Sequence, residues 1–182
     1  MIIILCLYSN NLYLAYNDIM DNKQLRIEIH ESKNDNKVKD FFIEHWGGEF
    51  IVSNGETLYG NELPFFMATD ENGETAGLLT YHLKNNECEI VTIDSLIKGQ
   101  GAGTILIDKM IDKAKSEKYS KLWLMTTNDN ISAMDFYKNR GFKLTEIHKG
   151  AIENSRELKK SIPEFGENGI RIEDEIIFEY PL

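Results

Sequence analysis

The chain of 182 residues lacks most of what builds secreted, fibrous or metal-stapled proteins. Its two cysteines, Cys6 and Cys88, stand at no framework spacing, which excludes a disulfide scaffold and indicates free thiols in a reducing, cytoplasmic compartment. The four histidines, His30, His45, His82 and His148, are scattered without a zinc-type spacing, so no metal is expected. Basic residues are scarce: Lys+Arg 20 against Asp+Glu 30 gives a net charge of -10. Such a surface repels nucleic-acid phosphate and suits a cationic small molecule or a basic peptide. No hydrophobic run reaches the roughly 20 residues that a membrane span needs. The apolar opening, Met1–Tyr8, is broken by Ser9-Asn10-Asn11, and no basic residue precedes Lys23, so it is no signal peptide. It reads either as an extra strand or docking segment, or as sequence upstream of a true start at Met20. The latter is favoured, because regular patterning begins only at Gln24–His30. The expected organisation is an extension over 1–19 and a single domain over 20–182.

What is present is an ordered alternation of periods. Leu25–Ile29 alternates apolar and polar as a strand does, and Lys37–Trp46 carries Val38, Phe41, Phe42 and Ile43 at helical spacing before Gly47-Gly48 stops it. Glu49–Leu63 is less regular. Pro64–Thr69, Glu74–Leu83 and Cys88–Leu96 then form an antiparallel meander with turns at Asp70–Gly73 and Lys84–Asn86. The period changes to helical over Ala102–Lys118, with Ile105, Leu106, Met110, Ile111 and Ala114 apolar, and returns to strand at the nearly all-apolar Leu122–Met125. A helix over Asn130–Arg140, ended by Gly141, and strands over Phe142–Lys149 and Glu175–Tyr180 complete a mixed α/β domain with one β-α-β crossover at its centre; Glu153–Gly169 is expected to be a helix or turn plus loop.

The most informative segment is Lys98-Gly99-Gln100-Gly101-Ala102-Gly103-Thr104, where a strand feeds a glycine-rich turn that opens a helix. The first N–H groups of a helix lack intrahelical acceptors, and its dipole adds about half a positive charge there. A diphosphate can therefore sit on backbone alone, without a basic surface. A Walker A loop is excluded, because Gly103 is followed by Thr104-Ile105 with no lysine. A dinucleotide fingerprint fails on the spacing of the third glycine and on the antiparallel hairpins around it.

The segment resembles the acetyl-CoA loop of the GNAT family of N-acetyltransferases, Arg/Gln-x-x-Gly-x-Gly/Ala, with Lys98 in the first position. The family's second signature, Asn-x-x-Ala-x-x-Phe-Tyr-x-x-x-Gly-Phe, is present in full as Asn130, Ala133, Phe136, Tyr137, Gly141 and Phe142. The order of elements from Leu25 to Tyr180 is similar as well. The resemblance implies a GNAT-like fold, with a mostly antiparallel sheet whose central strand pair splays apart. It implies an enzyme that uses acetyl-CoA as cosubstrate and no metal, the acceptor amine attacking the thioester directly in a ternary complex.

On the same resemblance, Lys98, Gly99, Gln100, Gly101, Ala102, Gly103 and Thr104 hold the pyrophosphate, aided by Lys138 or Arg140. Backbone N–H groups around Ile93 polarise the thioester carbonyl, Asn130 lies near the cofactor or simply caps its helix, and Tyr137 protonates the departing thiolate. The alternative for Tyr137 is an aromatic of the buried stripe with Ala133, Phe136 and Phe142. Glu89 is the favoured base for the acceptor ammonium, since a position near the strand centre would raise its pKa. Glu87 on the same face, Asp94 on the opposite face by strict alternation, and ordered water are the alternatives; Met125 offers no acid. Acceptor choice is expected from the first helix with Glu49–Leu63 and from Ala151–Gly169. A homodimer, and a domain of this fold that binds acyl-CoA without turnover, are further readings.

Overall fold

A computed structural model describes residues 26–30, 36–97, 100–166 and 168–182, with side chains from residue 36 except Lys37. The expected extension over 1–19, and Lys98 and Gly99 of the loop, lie outside the described residues. In chain order the elements are β1 (Arg26–His30), α1 (Asn36–Trp46), β2 (Phe50–Ser53), β3 (Glu56–Tyr59), a 3₁₀ turn (Gly60–Glu62), β4 (Phe65–Thr69), β5 (Thr75–Lys84) and β6 (Glu87–Ser95). They continue with α2 (Ala102–Ser116), β7 (Lys121–Thr127), α3 (Ile131–Asn139), β8 (Lys143–His148), α4 (Ile152–Leu158) and β9 (Glu175–Tyr180).

The main sheet has seven strands in the order β1-β4-β5-β6-β7-β9-β8, antiparallel except where β6 meets β7. That parallel pair is the expected crossover, because α2 carries the chain back along the sheet. Each neighbouring residue of β5 belongs to a different core. Leu79 packs with Ile90, Ile93, Leu106, Met110 and Tyr137 on the α2 and α3 face. Leu78 packs with Val38, Phe42, Trp46 and Val91 on the α1 face. The sheet is thus covered on both faces, which explains why the start of β7, Leu122–Met125, reads as a nearly continuous apolar run. Gly77 is required at the point of closest approach: a Cβ there would stand 2.7 Å from the Asp94 carbonyl oxygen and 3.1 Å from Leu106 of α2.

Glu49–Leu63 departs from the irregular expectation. It holds the two-stranded β2–β3 sheet, turned at Asn54 and Gly55, both with positive φ. Asn-Gly is the signal for such a turn, and it stands in the sequence. The hairpin brings Ser53 over the main sheet.

Candidate functional site

Two interruptions of hydrogen bonding define the site. β6 and β7 pair only from Glu87↔Lys121 to Ile90↔Leu124, after which β6 runs on to Ser95 and β7 to Thr127 without facing each other. The central strands therefore splay as expected. On its other side β6 pairs Thr92 with Thr80 and Ile90 with Tyr81, so Val91 is the extra residue of a β-bulge. Val91 consequently has no opposite residue on either neighbour. The freed backbone is centred there, at the apex of the gap, and extends to Ile93.

The bulge also corrects the strand's alternation. By strict period, Asp94 would face away from Glu89. Instead both reach the α1 face: Ser53 of β2 donates to Glu89, and the Trp46 indole Nε1–H donates to Asp94 Oδ2 at 3.0 Å. One inserted residue flips every later side chain to the other face. A bulge leaves no mark in the sequence, and Val91 was not among the expected site residues.

Glu89 lies two residues before Val91, about 7 Å along a strand. It is buried at the floor of a cavity of about 150 Å³ lined also by Glu56, Glu87, His82, Lys84 and Trp123. Burial pushes its carboxyl up to about 7, opposed by the Ser53 hydroxyl and reinforced by the Glu56 and Glu175 charges. Glu87 shares the cavity but stands at its exposed rim. Lys84 is engaged with Glu56, so the lining facing a ligand is predominantly acidic.

Tyr137 projects from α3 on the opposite face, fully buried among Phe136, Phe142 and Phe178. Its hydroxyl has no hydrogen-bond partner among the described residues. A plain core aromatic would not need an oxygen there, and burying one unpaired is costly. Burial, and then the nearby Asp94 carboxylate, hold the phenol far above its ordinary range.

At the far end of the gap the loop opens α2. Gly101 occupies the N-cap position with φ 76°, a left-handed conformation suited to glycine, and no side chain caps the helix. The first-turn N–H groups around Ala102, Gly103 and Thr104 are thus left for an anion. Gln100 carries beside them a buried Oε1 that has no partner among the described residues. Asn130 caps α3, its Oδ1 accepting from Ala133 N at 3.1 Å and from Ser132 Oγ at 3.2 Å. Arg140, a candidate phosphate partner, is held by both oxygens of Asp108 at 3.0 and 3.1 Å, and Lys138 pairs with Asp135. Among the described residues no cluster of three or more His, Cys, Asp or Glu side chains is arranged to hold a metal, and no helix is long and apolar enough to cross a membrane.

A gap between parallel strands that ends on a glycine-opened helix matches the comparison with known proteins. The acetyltransferase (GNAT) family model matches residues 23–142. The chain belongs to the GNAT family. It is accordingly an N-acetyltransferase in class. The protein YdhI of Bacillus subtilis (strain 168) is 43% identical over 140 residues, covering 76% of this chain and 87% of YdhI. Among solved structures, a Bacillus subtilis acetyltransferase in complex with CoA superposes with a TM-score of 0.63 at 22% identity, covering 87% of this chain and 99% of that one. A GNAT acetyltransferase from Elizabethkingia anophelis with acetyl-CoA bound gives 0.60 at 22% identity, over 87% and 98%. Likeness at that identity establishes the fold, and the expected mixed α/β architecture with its crossover agrees with it.

Proposed function

We propose that this GNAT protein transfers the acetyl group of acetyl-CoA to a cationic primary amine, small molecule or peptide, by direct attack in a ternary complex. The observation that carries the reading is the bulge at Val91. Its backbone is free at the apex of the β6–β7 gap, with Glu89 on one face of the sheet and Tyr137 on the other. A thioester lodged in that gap is open to an amine from the α1 face and to an acid from the α3 face.

In this arrangement Gln100–Thr104 and the α2 N-terminus take the pyrophosphate, and Ile93 offers its backbone to the pantetheine. The Val91 N–H polarises the thioester carbonyl, where pre-aimed donors stabilise developing negative charge. Glu89, poised near neutrality, accepts the proton of the acceptor ammonium. Tyr137 donates its proton to the thiolate as it leaves. The acidic cavity around Glu89 concentrates a cation by charge and stacks it against Trp123. The net charge of -10 is then no obstacle, because the anionic cofactor rests on backbone dipoles and the acidic surface serves the acceptor.

The test is thiol release from acetyl-CoA in the presence of polyamines, aminoglycosides and basic peptides. Release should rise several-fold with at least one cationic amine and not with neutral alcohols. Tight acetyl-CoA binding with no release for any amine would refute the transfer reading in favour of a non-catalytic acyl-CoA-binding domain.

A further inference from the structure

The cavity over Glu89 already holds one primary ammonium, the chain's own. Lys84, the last residue of β5, lines that cavity and pairs with the carboxylate of Glu56 from the β2–β3 hairpin. Their side chains are 58% and 48% exposed, so the pair stands at the rim while Glu89, 6% exposed, lies at the floor. An alkylammonium on a flexible carbon stem is thus seen bound at Glu56.

The hairpin fixes the spacing of the two acids. Ser53 and Glu56 are register partners across the Asn54-Gly55 turn. Opposed residues of such a pair share a face, with Cα atoms about 5.5 Å apart. Ser53 donates to Glu89, so the Glu56 side chain starts one strand spacing from the residue that marks the Glu89 carboxyl. The two acids also differ in state. Burial pushes Glu89 up to about 7, whereas the hydrogen bond and charge of Lys84 hold Glu56 below its ordinary value. An attacking amine must shed its proton, so the acid that takes that proton cannot also hold the acceptor by charge. Glu56 stays ionised and suits a cation that keeps its charge throughout. Lys84 has an alternative partner when displaced: it faces Glu87 in the β5–β6 register, and Glu87 is exposed at the same rim.

We propose that Glu56 is a specificity-determining residue that selects diamines, holding the acceptor's second, non-reacting ammonium in the place that Lys84 now fills while the first amine meets Glu89. Lys84 is an internal competitor that passes to Glu87 as the diamine enters. The exchange makes and breaks no covalent bond. A monoamine can meet Glu89 but gains nothing at Glu56. This selection rests on the acetyl-transfer reading.

The experiment follows thiol release from acetyl-CoA by the full chain with putrescine and with butylamine, which share a carbon chain and differ in the second ammonium. The wild type should show the higher kcat/KM for putrescine. Glu56→Gln should erase that preference, chiefly by raising the putrescine KM. Lys84→Met should widen it by up to roughly fivefold, the upper worth of a half-exposed ion pair. In a Glu56→Gln background Lys84→Met should widen nothing, since no carboxylate is left to compete for. Both side chains are exposed, so neither change costs much stability. A putrescine preference that survives Glu56→Gln overturns the selection, as does a Lys84→Met change that widens it equally in both backgrounds, which would mark general charge attraction. So does the absence of any preference in both the wild type and Lys84→Met, or turnover of other amines with none of putrescine. These results leave acetyl transfer standing. A protein that binds acetyl-CoA and releases no thiol to any amine defeats the transfer reading, and the selection with it.

Discussion

Replacing Tyr137 with Phe separates a catalytic tyrosine from a core aromatic, because the two roles predict opposite signs for stability and activity. The ring is fully buried and touches Phe136, Phe142 and Phe178, contacts that Phe keeps. The hydroxyl has no hydrogen-bond partner among the described residues. Burying such a group unpaired costs about 1–3 kcal/mol, so Tyr137→Phe should stabilise the protein by that amount. For a chain of this size each kcal/mol moves Tm by about 2–4 °C, which gives a rise of about 2–12 °C. The same change should lower kcat roughly 10²-fold or more, the share that proton transfer usually supplies. Differential scanning calorimetry and thiol-release kinetics on one preparation measure both. Adding CoA should narrow the Tm gap, because the sulfur then gives the wild-type hydroxyl a partner. A lowered Tm together with a kcat within two- or three-fold of wild type would refute the reasoning, since it would mean the hydroxyl is satisfied and idle.

Other outcomes follow from the remaining buried charges. Glu89→Gln should reduce kcat/KM at least 10²-fold, with the acid limb near pH 7 lost. Ser53→Ala should shift that limb upward, because the Ser53 hydroxyl favours the Glu89 carboxylate; pH–rate profiles check both. Lys159, 3% exposed, donates to the Trp46 and Phe50 carbonyls at 2.8 and 2.5 Å and is lowered by burial from 10.5 to about 8. The folded state thus loses the lysine's proton before the unfolded state does, and the penalty of burying the charge, present below about 8, disappears as pH rises to 10.5. Relative to Lys159→Met, the wild type should therefore gain up to roughly 3 kcal/mol across that window, read by urea unfolding at several pH values.

Much of this protein is legible in its sequence. Hydrophobic period alone places the meander, the α2 crossover and the short apolar β7, because burial on one face or two writes itself into every second, or every third and fourth, residue. The loop at Gln100–Thr104 is equally plain, since positive φ at Gly101 and an uncapped helix start are properties of local chain geometry. The paired motifs that include Asn130 and Tyr137 identify the family for the same reason. Ser53 could have been reached through the Asn54-Gly55 turn.

The relation between the two sides of the reaction is another matter. That Val91 bulges, that Asp94 therefore joins Glu89 on the α1 face, and that Trp46 reaches Asp94 across 48 positions of sequence are decided by how β6 registers against β5 while parting from β7. Register is a compromise among strands distant in the chain, and an inserted residue is energetically visible only when its partners are in place. The sequence determined which groups are available for chemistry. The tertiary structure alone decided which of them share a face, which are buried without partners, and hence which can move a proton.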